Sequence, residues 1–168
     1  IVKLLGESKG TEDKKITDPL EIKTKQDLDE YIEYSIEQLE LNSGGYELKE
    51  THQFTMLLPQ SFYGPGSYTN WIKVGWALKN TCSQLDYRDN RLFLTFLKFS
   101  SQSKEFSFTD VSGLWDQWIQ KFQSNPDGLT KKSIMYWAKQ DAIKEDYDAI
   151  RESTVSFFMN EAVETQTE

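Results

Sequence analysis

An all-α fold is predicted for this sequence, a compact bundle of about five to seven helices behind a flexible acidic N-terminal arm. Three observations carry the prediction. Apolar residues recur at helical spacing in several windows, most plainly at Val111, Leu114, Trp115, Trp118, Ile119 and Phe122. Breaks rich in Gly, Pro, Asn and Ser separate these windows, at 42–45, 59–66 and 125–128. The connections are mostly under about a dozen residues, short enough to join neighbouring helices of a bundle.

Each element follows in order. Residues 1–23 mix Lys, Asp, Glu and Thr with Gly6, Gly10 and Pro19 and have no period, which reads as a flexible linker or a loosely docked arm. Thr24 and Asp27 resemble a capping box, with Asp in place of the usual Glu or Gln. Behind them Leu28, Tyr31, Ile32, Ser35, Ile36 and Leu39 share a face. Asn42-Ser43-Gly44-Gly45 is expected to stop this N-terminal helix, 24–45, because glycine tolerates a left-handed cap. The next stretch, YELKETHQFTMLL (46–58), predicts a short helix ending before Pro59. After the loop 59–66 a helix begins at Thr69 or Asn70, with Trp71, Val74, Gly75 and Leu78 on one face. RLFLTFLKF (91–99) is apolar nearly all round, so its period does not separate helix from strand, although Leu92, Phe96 and Phe99 fit a helical face. Thr109 or Asp110 caps the Trp-rich helix. Asn125-Pro126-Asp127-Gly128 is a turn, and Thr130 caps a helix through Ile134, Met135 and Ala138. The last helix carries Ile143, Tyr147, Ile150, Thr154, Phe157 and Phe158 and frays into a polar tail, 163–168. Residues 46–162 thus make one helical domain.

Length and composition narrow the function. A chain of 168 residues has room for one domain with its own core. Its net charge of −8 argues against a generic nucleic-acid binder. The charge is unevenly placed, however. Residues 1–50 hold 7 Lys/Arg against 13 Asp/Glu, residues 51–139 hold 10 against 6, and residues 140–168 hold 2 against 8, for net charges of −6, +4 and −6. A basic, aromatic-rich middle therefore lies between acidic ends. No run approaches the roughly 18 apolar residues of a membrane span, and the first residues lack the order of a signal peptide. Cys82 stands alone, so it forms no internal disulfide and reads as a buried or half-buried thiol. A soluble, intracellular protein is expected. The start at Ile1 without a methionine predicts a piece of something longer.

Candidate chemistry is sparse. Gly64-Pro65-Gly66-Ser67 has one residue between its glycines and no lysine until Lys73, so it matches neither a P-loop nor a dinucleotide fingerprint. A turn explains it: Pro65 fixes φ, Gly66 permits a positive φ, and Ser67 or Thr69 satisfies an orphan amide. The weaker alternative is backbone contact with phosphate at the helix N-terminus. His52, the single histidine, has no local partner for proton transfer or metal binding. Asp27 and Asp29, like Asp146 and Asp148, lie two apart on predicted helices and point about 200° apart, so neither pair shares an ion. Trp115 and Trp118 belong to a continuous apolar face and read as core rather than a base-stacking platform. Trp71 and Trp76 project about 140° from each other, so at most one faces the deepest core. Lys131 and Lys132 stand at a helix start, where cations oppose the macrodipole, which hints at phosphate contact.

Four separated blocks, GSYTNWIKVGWALKNT, RLFLTFLKFSSQSKEF, LWDQWIQKF and GLTKKSIMYWAKQDA, occur in this order. Together, over about residues 50–160, they resemble the helical primase C-terminal domain of type two found in the poxvirus-like primase–helicases of large DNA viruses. The resemblance implies a helical module between an archaeo-eukaryotic-type primase domain and a superfamily 3 helicase domain, inside the host cell where viral DNA is replicated. It supplies no catalytic residue, metal ligand or cofactor for this segment. The implied partners are the neighbouring primase and helicase domains and DNA, with no membrane. Two functions follow. One is an accessory domain that links the primase and helicase parts and contacts template through Arg88, Arg91, Lys98, Lys104, Lys121, Lys131, Lys132 and Lys139. The other is a purely architectural protein–protein module. Gathering of those cations on one face favours the first; scatter, with an exposed apolar patch, favours the second.

Overall fold

Seven α-helices account for most of the described residues, which are 19–39, 43–85, 90–122 and 128–167 of a computed structural model, and no strand occurs among them. In chain order the helices are α1 (Lys25–Leu39), α2 (Ser43–Leu57), α3 (Tyr68–Leu85), α4 (Phe93–Ser100), α5 (Val111–Gln120), α6 (Lys131–Asp141) and α7 (Lys144–Thr167). Most of the predicted arm lies outside the described residues. Its last part is docked rather than free: Pro19–Glu21 forms a 3₁₀ turn packed near α5, and Ile22 is fully buried.

The fold is organised around α4. Seven of its eight residues are buried, Lys98 being the exception, and this explains its missing period. A helix surrounded by other helices has no polar side to alternate with. Phe93, Phe96 and Phe99 radiate from it into a cluster with Val74 and Leu78 of α3, Trp118 of α5 and Phe122. Aromatic rings meet edge-on there, with centroids 5.4 Å apart for Phe96 and Phe122 and 5.6 Å apart for Phe93 and Trp118. Gly75 admits this packing. A Cβ at that position would overlap Phe122 Cε2 and lie 3.1 Å from Phe96 Cε1. Of the predicted Trp-rich stripe, Trp118 and Phe122 are buried, Trp115 is half-buried and Ile119 is exposed, so the apolar face is wider than the core it enters.

The helix ends show where local signals hold. Thr24 Oγ1 accepts from the Asp27 amide at 3.1 Å, and the Asp27 carboxylate accepts from the Lys23 amide at 3.1 Å, close to the predicted box. Thr130 and Ser133 form a reciprocal capping box at the start of α6. Gly66 turns the chain into α3 with φ +84°. Ser67, expected to accept an orphan amide, instead donates its hydroxyl to the Gly64 carbonyl and so closes the preceding turn. Ser107, not Thr109 or Asp110, caps the entry to α5, by accepting from the Thr109 amide of a 3₁₀ turn that leads into that helix. Two further expectations change. Gly44 and Gly45 sit in the first turn of α2 rather than ending the helix before them, so α2 spans fifteen residues. The polar end of the chain does not fray after residue 162; α7 continues to Thr167. The predicted turn at 125–127 lies outside the described residues, while Gly128 takes φ +78°.

Candidate functional site

The cations singled out in the sequence are spread over four places. Arg91 precedes α4 and Lys98 lies within it; Lys104 is in the loop that follows, and Lys121 ends α5. Lys131 and Lys132 open α6 and Lys139 closes it. Arg88 lies outside the described residues. Lys132 and Lys139, two helical turns apart, share a face. Lys98 and Lys131 are turned inward to other helices. Lys98 Nζ is 3.1 Å from Asp29 of α1, and Lys131 Nζ is 2.6 Å from Glu47 of α2. The second pair explains why a lysine stands at a helix N-terminus against the macrodipole: it fastens α6 to α2. The Lys131 amide is satisfied by Thr81 Oγ1 at 2.8 Å. A third crossing pair, Arg151 with Glu50 at 2.9 Å, ties α7 to α2, and Thr154 Oγ1 donates to the same carboxylate at 2.6 Å. The charge asymmetry along the sequence thus becomes, in part, helix-to-helix pairing between the acidic first third and the basic middle.

Lys79, outside the candidate set, is buried. Its Nζ donates to Asn90 Oδ1 at 3.1 Å and stands 5.2 Å from the centroid of the Trp118 ring. Asn90 Oδ1 also accepts from Trp118 Nε1 at 2.8 Å, so one amide oxygen joins α3 to α5. Burial pushes the Lys79 ammonium below its ordinary pKa. His52 is buried too, with Nδ1 2.8 Å from Thr95 Oγ1. Desolvation, assisted by Lys98, lowers its pKa to about 4, so the ring is neutral at pH 7. Cys82 is buried and its sulfur accepts from the Leu92 amide. Asp29 and Asp148 are in ion pairs, with Lys98 and Lys144. No group of three His, Cys, Asp or Glu side chains able to hold a metal occurs among the described residues.

Two surface features went unremarked in the sequence. The larger concavity, a groove of about 650 Å³, lies between the turn at 63–68, the end of α4, the loop after it and the start of α5. Aromatic side chains Tyr63, Tyr68, Trp71 and Phe106 line it together with the carboxylates Glu105 and Asp110. Because three separated segments build it, no local pattern announces it. The second feature is on α7, where Val155, Phe158, Met159 and Val163 are exposed, Met159 at 63% and Val163 at 56%. With Ala162 they recur at i, i+3, i+4, i+7 and i+8, a stripe that begins beside the buried Thr154, where Phe158 is one turn on, and runs round to the exposed Val163. That signal was present in the sequence beside the core-facing stripe of the same helix. No described helix is long and apolar enough to cross a membrane.

The class this defines, over the described residues, is an all-helical module whose surface offers contacts, a groove and a stripe. The family model described as primase C terminal 2 (PriCT-2) matches residues 56–138, and over that span the chain is similar to this family. The match runs from the end of α2 to α6 and is narrower than the resemblance over 50–160. No curated protein and no solved structure matches the chain. The remaining helices are not separate from the matched segment: α1 and α2 pack on α4, and α7 packs on α2 and α6.

Proposed function

We propose that this chain is a non-catalytic helical module of a larger replicative primase, which binds protein in order to link and position the primase and helicase parts of its parent. The observation that carries this reading is the stripe on α7. Val155, Met159, Ala162 and Val163 keep an apolar face open, with Phe158 at its edge where it meets Tyr46, although the same helix already buries another face against α2. Exposed apolar stripes of this kind mark partner surfaces. The argument for DNA from the basic middle is weakened, since Lys79 is buried and Lys98 and Lys131 hold helices together. The resemblance of the four blocks supports a parent of the primase–helicase type from a large DNA virus, working in the host cell where viral DNA is copied.

Contact with template DNA is the second reading. It is favoured by Lys104, Lys121, Lys132 and Lys139, whose side chains are exposed and make no hydrogen bond or ion pair with another described residue. Fluorescence anisotropy of labelled single- and double-stranded oligonucleotides at two salt concentrations separates the readings. The protein-docking reading expects weak binding that is unchanged by Lys132→Ala with Lys139→Ala. Binding that falls steeply with salt and is lost in the double variant would overturn it, because counterion release is the signature of phosphate contact.

A further inference from the structure

We infer that the groove between the 63–68 turn, the loop after α4 and α5 is a docking site for an extended peptide segment carrying arginine or lysine. This extends the protein-docking reading to a second surface and names the chemistry of its partner. The groove's wall is aromatic and held in place. Trp71 Nε1 donates to Ser100 Oγ at 2.8 Å, and its ring packs on Phe96 with centroids 5.0 Å apart. Tyr63 meets Phe99 edge-on at 5.7 Å. Tyr68 stands on this wall beside Trp71, 5.7 Å between centroids, yet remains 66% exposed. An aromatic residue of that exposure beside a fixed indole offers a ring face to a ligand, and ring faces attract cations.

The rim supplies the matching charge. Glu105 and Asp110 line the groove, are exposed, and bond through their carboxylates to no other described residue. Asp110 precedes α5 without accepting a capping hydrogen bond, so its carboxylate oxygens are not taken up by the helix's amides. Among the described residues no cation lines the groove; Lys104, although next to Glu105 in the chain, is not among its lining residues. Two carboxylates repel phosphate and so disfavour a nucleic-acid strand here. Hydroxyls of Ser103, Thr109 and Ser112 along the same rim suit the polar groups of a peptide backbone. The site is an open groove, fitted to a chain lying along it.

The test uses the whole chain and three probes: a capped hexapeptide with two arginines separated by serine, the same peptide with glutamines in their place, and a short oligothymidylate. Binding is read from the NMR signal of the Trp71 indole N–H, assigned with Trp71→Phe, with circular dichroism to confirm folding of variants. The arginine peptide is expected to move that signal saturably at millimolar concentration or below, and the glutamine peptide to bind about tenfold more weakly or worse. Glu105→Gln with Asp110→Asn should weaken the arginine peptide by about tenfold, and Tyr68→Ala by a similar factor. Equal binding of the two peptides, no binding of either, or undiminished binding by the carboxylate variant overturns the inference. A saturable shift of the Trp71 signal by the oligothymidylate alone, at lower concentration than the arginine peptide needs, overturns it in favour of nucleic acid. Any of these outcomes can coexist with a complex formed through α7, so failure here does not count against the docking reading as a whole.

Discussion

Alanine at position 75 sets two measurable effects against each other. Gly75 lies inside α3, where replacing glycine by alanine ordinarily stabilises a helix by about 1 kcal/mol. Here the added methyl would overlap the Phe122 ring and stand 2.8 Å from its Cζ. The ring has little room to move. It is 1% exposed, with Phe96 at 5.4 Å and Trp118 at 6.1 Å between centroids. Overpacking of this kind costs about 1–3 kcal/mol, and more where a rigid ring must shift. The balance is destabilising, by about 1–2 kcal/mol at the upper end of that range. Gly113 of α5 is the control, because nothing lies within 4 Å of a Cβ built there. Gly113→Ala should raise stability by up to about 1 kcal/mol. Thermal melts of the two variants should therefore move in opposite directions, by about 2–4 °C per kcal/mol for a chain of this size. A Gly75→Ala protein as stable as the Gly113→Ala protein would refute the close approach of α3 to Phe122.

Three further outcomes are expected. The His52 pKa, lowered from the ordinary 6.5 to about 4 by burial, means that below pH 6.5 the unfolded chain takes up a proton the native ring does not. Its contribution is complete above pH 6.5 and is lost as pH falls towards 4, amounting to about 2 kcal/mol by pH 5; denaturant titrations of parent and His52→Gln should diverge across that window. Trp118→Ala should cost about 3–5 kcal/mol, and Ile119→Ala, one residue on and exposed, under about 0.5 kcal/mol in the same chemical denaturation assay. Thr130→Ala removes one half of the α6 capping box and should cost about 1 kcal/mol by thermal melting.

Helices with one apolar face and a side-chain cap were legible from sequence, as α1 and α6 show; α5 was legible by its apolar face alone, since Ser107 rather than Thr109 or Asp110 caps its entry. Where one condition failed, so did the reading. In α4 burial on every side erased the period. At Gly44-Gly45 a residue pair that favours helix ends opened a helix instead, because α2 packs on α1, α4, α6 and α7 and that burial outweighs a local propensity. The cations were plain in the sequence, but their partners were not. Asp29 and Lys98 are 69 residues apart, Glu47 and Lys131 are 84 apart, and only the tertiary fold reveals that each lysine is already engaged. The groove was hidden for the same reason. The α7 stripe was visible, since Val155, Met159 and Val163 keep helical spacing, but a sequence does not say which of two apolar stripes a fold will cover.

The central claim, that this module binds protein through α7, is tested most directly by sedimentation velocity of the chain mixed with separately purified primase and helicase parts of the parent proposed above. The account predicts a complex with at least one of them that persists at high salt, as apolar burial should, and that Met159→Glu abolishes while the chain stays folded. Free species only, or a complex that Met159→Glu leaves intact, would contradict it.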